Sequence, residues 1–474
     1  MHTDQAGRSD TVEEYSFKGI AMVVTTFAEF ARDLDAQPLS ADVTHHAKRA
    51  VIDWFAALVP GAVQAPCVLM ERALADDLDR GRARLGTGRL ATARAAALIN
   101  GTAAHTVEVD DIYREAIYHP GAPTIAAALA AAQDRNESGE RFLKAVTAGY
   151  EISTRIGAAL GRAHYRFWHN TGTVGTFGAS AAVALIHRLD TDRFAHALAG
   201  CATFAAGLQQ AFRMDSMSKP LHAGHAADAG WLAACMAAQG VTGSLNVIDG
   251  EAGLGFAMSD GPDWQQAVST LGKDFHITRI TFKNHACCGH TFAAIDGALE
   301  LMARHSVDVN QIDRIRIGTY RPALEVAGNP EPRTAAEARF SLQYVVATAL
   351  IHGSVRLAAF EPDRMSDSAT RALMQRIDLS VDPALDAAFP GQRAARVTLV
   401  MRDGRELSHL QPTRKGDPEA PLTDSDLDGK FRELVAPVMG DRGAEALLAR
   451  LWALESQTDL RDLMAPAAVR LNAA

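Results

Sequence analysis

Cysteine is scarce in this chain. There are five in 474 residues: Cys67, Cys201 and Cys235 stand alone in helix-like sequence, and Cys287 and Cys288 are neighbours. No C-x-x-C spacing occurs, so neither a disulfide framework nor a cysteine-held zinc or iron–sulfur cluster is expected. A basic tract is lacking too. With 47 Lys+Arg against 56 Asp+Glu the net charge is −9, which argues against a general nucleic-acid binder. A pocket that gathers a few cations around a small anion remains open. No apolar run reaches the length of a membrane span, because His, Arg, Asp or Gln interrupts the alanine-rich segments. The stretch "MHTDQAGRSDTVEEYSFKGIAMVV" lacks the basic start and apolar core of a secretory signal. The expectation is a cytoplasmic protein with no nucleic-acid and no membrane partner, in keeping with thiols in a reduced compartment.

What is present is ordinary for a soluble globular chain: 48% hydrophobic and 22% charged residues, enough for a large core and more than one domain. Residues 1–16 are polar and expected to be disordered. Residues 17–275 repeat apolar positions at three- and four-residue steps, as in "HHAKRAVIDWFAALVPG" and "TIAAALAAAQDRNESG". The small residues of "GTFGASAAVALIHRLD" and "AGHAADAGWLAACMAAQG" read as helices packed closely in a bundle. The texture changes at His276. "HITRITFK", "IDRIRIGTY" and "ARVTLVMRDGRELSHL" alternate as strands do, the last around a turn at Asp403-Gly404. Between them "HTFAAIDGALELMARH" and "FSLQYVVATALIHG" are helical. Helical texture returns after 410, with Ser425 as a candidate N-cap. The fold expected is therefore mainly α: a helical domain from 17–275 and 411–474, with a smaller α/β lid domain at 276–410 inserted.

Four clusters can carry chemistry. They are Glu108, Asp110, Asp111 and His119 in "VEVDDIYREAIYHPG"; His169 and Thr171 in "FWHNTGTVGTFGAS"; Lys219 and His222 in "MSKPLHAGHAA"; and Lys283, His285 and His290 in "FKNHACCGH". Each has a plain structural alternative: a helix end at Asp110 and Asp111, a satisfied core histidine at His169, a surface lysine at Lys219, a strand end at Lys283. The glycines after His169 lack the lysine of a phosphate-binding loop. Lys219 and Lys283 sit in apolar contexts, where an ammonium normally has an anionic partner. Two lysines and several histidines around one cleft suit a substrate with several carboxylates, since imidazole exchanges protons near neutral pH and a carboxylate can hold its tautomer. A metal at Asp110, Asp111 and His119 is the competing reading, disfavoured by lysines in the same pocket.

Taken in order, "VEVDDIYREAIYHPG", "HNTGTVGTFGAS", "SKPLHAGHAA", "DGEAGLGFAMSD", "KNHACCGHTFAAID" and "EARFSLQYVVATAL" resemble the MmgE/PrpD family over about residues 20–440. The resemblance implies a helical domain built from both chain ends, an α/β lid, a homodimer, and chemistry without a cofactor in a cleft between the domains. It also implies that His119, His169, Lys219, Lys283 and Glu108 line that cleft. Two departures touch the pocket wall. The family's D-x-D-D-T is Glu108-Val109-Asp110-Asp111-Ile112 here, and its K-x-Y-P-C-C is Lys283-Asn284-His285-Ala286-Cys287-Cys288.

The function expected is a cofactor-independent lyase for a short di- or tricarboxylate. Lys219 and Lys283 would clamp carboxylates, and His119 and His169 would exchange protons, one of them oriented by Asp110 or Asp111. Glu108, Thr171, His222, His285 and His290 would contact the substrate. Dehydration of the 2-methylcitrate type comes first, then decarboxylation of an aconitate-like acid or epimerisation of a substituted succinate. A member without activity, serving as a ligand-binding dimer, is the non-enzymatic alternative.

Overall fold

The computed structural model describes residues 22–212, 216–389 and 391–464. The expected disordered tail, 1–16, lies outside them. The fold is mainly α with a small α/β part, and its logic is set by small residues. The helix Gly175–Ile186 is buried at every position, as a helix apolar on all faces must be. Around it pack Gly121–Arg135, Gly139–Tyr165 and Ser218–Ala238.

The helix Ala93–Thr106 lies between two neighbours that approach without side chains in the way. A Cβ at Gly61 would sit 2.0 Å from the carbonyl oxygen of Ala103, and one at Gly224 would sit 2.1 Å from Thr102 Oγ1. Only glycine permits either approach. The second contact runs antiparallel: Arg94 pairs with Asp228 at 2.7 Å near one end and Glu108 reaches Lys219 past the other. The end of one helix and the start of the other thereby converge.

In the α/β part a four-stranded sheet runs in the order β4-β3-β5-β6, with β3 Ile312–Thr319, β4 Ile377–Val381, β5 Ala395–Met401 and β6 Glu406–Gln411. β3 pairs parallel with β4 and antiparallel with β5, and β5 pairs antiparallel with β6. The helix Phe292–His305 covers β5 and β6 and packs on Leu342–His352. The β5–β6 turn carries Gly404 at φ 86°, as the Asp-Gly step anticipates. The last long helix, Asp424–Trp452, packs on Ala41–Ala62 far back in sequence. Lys48 meets Glu455 at 2.7 Å, and Lys430 meets Asp53 at 2.5 Å in the buried seam.

Three sequence expectations need correction, and one strand went unread. "HITRITFK" is no strand: His276–Arg279 is a single 3-10 turn, and Thr281 makes one isolated bridge to Ile112. Ile277, Ile280 and Phe282 are buried because the segment threads the core, and Thr281 and Lys283 are buried with them, so only the residue types and not the burial resemble a strand. The cap of the last helix is Thr423, not Ser425; Thr423 and Asp426 bond each other's backbone N–H in a capping box. The stretch read as uniformly helical contains a small hairpin, β1 Leu78–Arg84 with β2 Leu90–Ala91. Its charged sequence, LDRGRAR, hides the strand period. β4, five residues long, was too short to stand out. Among the described residues no single helix is long and apolar enough to cross a membrane.

Candidate active site

The site is organised by the loop 107–112, which leaves the helix Ala93–Thr106. Three successive carbonyls of this loop each accept a hydrogen bond from a different cation: Val107 from Arg339 at 3.2 Å, Glu108 from Lys283 at 3.0 Å, and Val109 from Lys430 at 2.7 Å. Ile112 exchanges both backbone hydrogen bonds with Thr281, at 2.8 and 2.9 Å. The loop needs such support. Glu108 has φ 61°, a left-handed conformation that costs a non-glycine residue on the order of 1–3 kcal/mol.

So held, Asp110 and Asp111 point apart. Asp110 lies 1% exposed among histidines: its Oδ2 is 2.7 Å from His105 Nδ1 and 3.2 Å from His119 Nδ1. The His105 ring meets His119 edge-on at 4.7 Å and stacks on His169 at 5.5 Å. His169 Nδ1 is 3.0 Å from His222 Nδ1, so one ring donates to the other. Asp111 turns away from this row. Its Oδ1 accepts from Gly121 N–H at 3.0 Å, at the start of the helix Gly121–Arg135, and its Oδ2 accepts from the Tyr150 hydroxyl at 2.7 Å. Of the two aspartates expected to orient a histidine, the geometry places Asp110 there and makes Asp111 a helix-end anchor.

The two lysines converge from opposite parts of the fold, Lys219 from the helix Ser218–Ala238 and Lys283 from the crossing segment. Both meet the Glu108 carboxylate, Lys219 in a direct ion pair and Lys283 at 3.5 Å; Lys283 is also 4.0 Å from Asp110 Oδ1. The anion between the two ammonium groups in this structure is thus the chain's own glutamate.

Electrostatics separate the roles further. Burial alone would push the Glu108 carboxyl up, but the ammonium groups of Lys219 and Lys283 outweigh it and hold it well below the carboxylate range. Burial opposes ionisation of Asp110 also, and His105 and His119 overcome it. Burial lowers His119 to about 4 against the pull of Asp110, and lowers His169 well below the imidazole range with nearby cations assisting. Both shifts favour the neutral imidazole.

Burial, with Asp53 adding repulsion, raises Asp111 to about 8. The folded protein therefore binds this proton more tightly than the unfolded chain, whose carboxyl titrates near 3.8. The stability it contributes is complete below about pH 4 and is lost as pH rises through about 8. Asp111→Asn is expected to flatten the fall of melting temperature between roughly pH 5 and 8, by at most about 1.4 kcal/mol per pH unit. Thermal melts across that range would contradict this if the slope were unchanged.

The remaining expected residues fall into two groups. Thr171 and His222 stand beside the histidine row. Thr171 Oγ1 accepts from the His119 backbone N–H at 3.4 Å, a positioning contact, and His222 is half-buried. His285 is a core histidine, 2% exposed, bonded to Asp296 at 2.9 Å and edge-on to Phe292. Both neighbours belong to the helix Phe292–His305, and among the described residues no contact joins His285 to the histidine row. His290 is half-buried against the Tyr320 hydroxyl at 2.9 Å.

Two residues escaped the sequence reading. His105 looks like one more polar residue at a helix end; its spacing of five from Asp110 was the only signal. Lys430 lies more than 300 positions away from the loop that it holds.

His105, Asp110 and His119 bring three ligand atoms within 4.8 Å of one another, a spacing a divalent ion can use. The 2.7 Å His105–Asp110 contact is already a hydrogen bond, and the Lys283 ammonium stands where it would repel such an ion. The arrangement suits proton exchange better than metal binding.

Comparison with known proteins agrees with the motif reading. The MmgE/PrpD N-terminal domain model matches residues 25–267 and the C-terminal domain model matches residues 285–454. The cis-aconitate decarboxylase-like protein oryM of Aspergillus oryzae is 28% identical over 471 residues, covering 94% of this chain and 96% of its own. Human cis-aconitate decarboxylase is 28% identical over 374 residues, 77% of each chain, and the mouse protein is 26% identical over 377 residues, 77% of this chain and 76% of its own. With both domain models matched in order across most of the sequence, this chain belongs to the MmgE/PrpD family.

Proposed function

We propose that the protein is a cofactor-independent lyase that decarboxylates a short unsaturated tricarboxylate of the aconitate type. The observation that carries the reading is the row His119–Asp110–His105 set directly against Lys283 and Lys219: a proton-exchanging group beside paired cations. The names of the relatives put decarboxylation ahead of the dehydration expected from sequence, and nothing favours epimerisation.

In this reading a substrate carboxylate displaces Glu108 from the two ammonium groups, which then fix and neutralise the acid. The bond between carbon and a second carboxylate breaks, carbon dioxide leaves, and the electron pair spreads into the adjoining double bond and its carboxylate. The lysines stabilise that charge as it develops. A polyanion in the site raises the pKa of His119, so the imidazole that is neutral in the free protein holds a proton to deliver to the carbanion. The unit that carries Lys283 would act as a lid over this step.

Proton NMR in heavy water tests it, with cis-aconitate, trans-aconitate, citrate, 2-methylcitrate and substituted succinates. The expected result is loss of cis-aconitate or a close analogue, release of carbon dioxide, and one deuterium retained in the product. Loss of water from 2-methylcitrate with no decarboxylation would install dehydration instead, and no turnover of any acid would remove the lyase reading.

A further inference from the structure

We propose that His222 is a positioning residue that fixes the ring of His169, and not a group that contacts the acid. The proposal rests on the proton-exchange reading of the histidine row and names the residue that makes His169 fit for it. His169 is 2% exposed, and its ring stacks on His105 at 5.5 Å and 24°. Stacking sets the plane of a ring but not its flip about the Cβ–Cγ bond, which exchanges Nδ1 for Cδ2 and Nε2 for Cε1. A contact that distinguishes those two edges is the 3.0 Å hydrogen bond between His169 Nδ1 and His222 Nδ1. With Nδ1 so engaged, protons exchanged with a bound acid pass through Nε2.

The fold builds a slot for this second imidazole. His222 lies one turn after Lys219 on the helix Ser218–Ala238, so a single turn carries both the lysine that meets Glu108 and the support for His169. Two neighbours make room by having no side chain. A Cβ at Gly172 would stand 3.1 Å from His222 Cβ and 2.3 Å from the Ala206 carbonyl oxygen. One at Gly207, where φ is 140°, would stand 3.3 Å from His222 Cγ and Nδ1. Gly207 is latched to the segment that carries His169: its carbonyl accepts from the His169 backbone N–H at 2.8 Å, and the Gln209 N–H donates to the Phe167 carbonyl at 3.0 Å. The same glycine thus holds the His169 backbone and leaves space for the ring that holds its side chain. The first glycine of "HNTGTVGTFGAS" has its reason here, in the close approach of residues 206–207 and His222.

Two amides of different length decide the matter. An asparagine amide falls where His222 Nδ1 stands and can donate or accept, so His222→Asn keeps the bond whichever ring carries the proton. A glutamine amide falls at the Nε2 position, and His222→Gln loses the bond. With the acid identified by NMR, His222→Gln is expected to lower kcat about 10- to 100-fold and His222→Asn less than about threefold, with KM changing less than about threefold in both. Equal losses in the two variants, no loss in either, or a loss confined to KM would overturn the assignment; the last would make His222 a contact to the acid. Nitrogen-15 spectra of the histidine-labelled free protein read the same bond without turnover. The His169 Nδ1 signal, assigned by its disappearance in His169→Gln, should stay close to its wild-type position in His222→Asn and move away in His222→Gln. A signal unmoved in His222→Gln would overturn the assignment as well. A protein that turns over no acid brings down the lyase reading, while the nitrogen spectra still decide whether His222 fixes the ring.

Discussion

Asp110→Asn is expected to lower turnover by about 10³- to 10⁴-fold with the fold intact, the scale on which an imidazole loses its orienting carboxylate. One oxygen, Asp110 Oδ2, stands within reach of Nδ1 on both His105 and His119. A carboxylate only accepts, so the 2.7 Å hydrogen bond holds His105 as its Nδ1–H tautomer, while His119 Nδ1 meets the same oxygen at 3.2 Å as a charge contact. An asparagine must present either its oxygen or its amide at that point. Whichever way it turns, at least one ring loses its partner or is driven to the other tautomer. The effect should fall mainly on kcat, since Lys219 is untouched and Lys283 keeps its contacts with Glu108, and imidazole orientation should not be rescued by Asp110→Glu, whose longer arm misplaces the oxygen. Measuring kcat and KM with the acid identified by NMR, beside a thermal melt, checks this. Retention of turnover within tenfold, with an unchanged melt, would make the aspartate a structural group and move the proton chemistry elsewhere.

The second large effect is one of stability, and it lies behind the loop that carries Asp110. Lys430→Met is expected to destabilise the protein by about 3–5 kcal/mol, the usual cost of stripping one partner from a buried ion pair. Lys430 and Asp53 are 1% and 0% exposed, and the same ammonium holds the Val109 carbonyl next to Asp110. Burial already raises the Asp53 carboxyl above its ordinary range, with Lys430 opposing the rise. Without the lysine, Asp53 takes up a proton to remain buried. The variant's stability should therefore be recovered at low pH and lost as pH rises, since the folded state then binds a proton that the unfolded state releases near 3.8. Denaturant unfolding at acid and neutral pH reads the sign directly. Adding Asp53→Asn should return much of the loss at neutral pH, because the uncompensated charge is gone. A Lys430→Met protein as stable as its parent at neutral pH would show that the pair contributes nothing net.

Both expectations concern one short loop, which explains what could be read in advance. "VEVDDIYREAIYHPG" announced a site because two carboxylates and a histidine fall beside a Pro-Gly step. Which carboxylate faces which neighbour was not in that text. Adjacent residues in a loop have no periodicity to assign their faces, unlike residues in a helix or strand. The directions of Asp110 and Asp111 follow from Arg339, Lys283 and Lys430 binding three consecutive carbonyls, and those cations come from 175 to 321 positions downstream. The same holds for Glu108. Its extra methylene was visible, but its seat between Lys219 and Lys283 was not. The error at "HITRITFK" has a related cause: its apolar residues are there because the segment crosses the core, where Ile280, Thr281, Phe282 and Lys283 are buried in succession without a strand ladder.

By itself the sequence determined the helical texture, the change of texture near the sheet, the run of family motifs, and the residue types gathered at the candidate site. Each of these is carried by local periodicity, by composition, or by spacing within a few residues. Tertiary structure alone decided that His105 joins Asp110 and His119, that Asp111 serves a helix end, that His285 belongs to the core, and that a lysine from the last helix stands behind the loop 107–112. Those are choices among side-chain directions, settled by hydrogen bonds and ion pairs between groups distant in the chain. Their energies depend on burial that no short window of residues encodes.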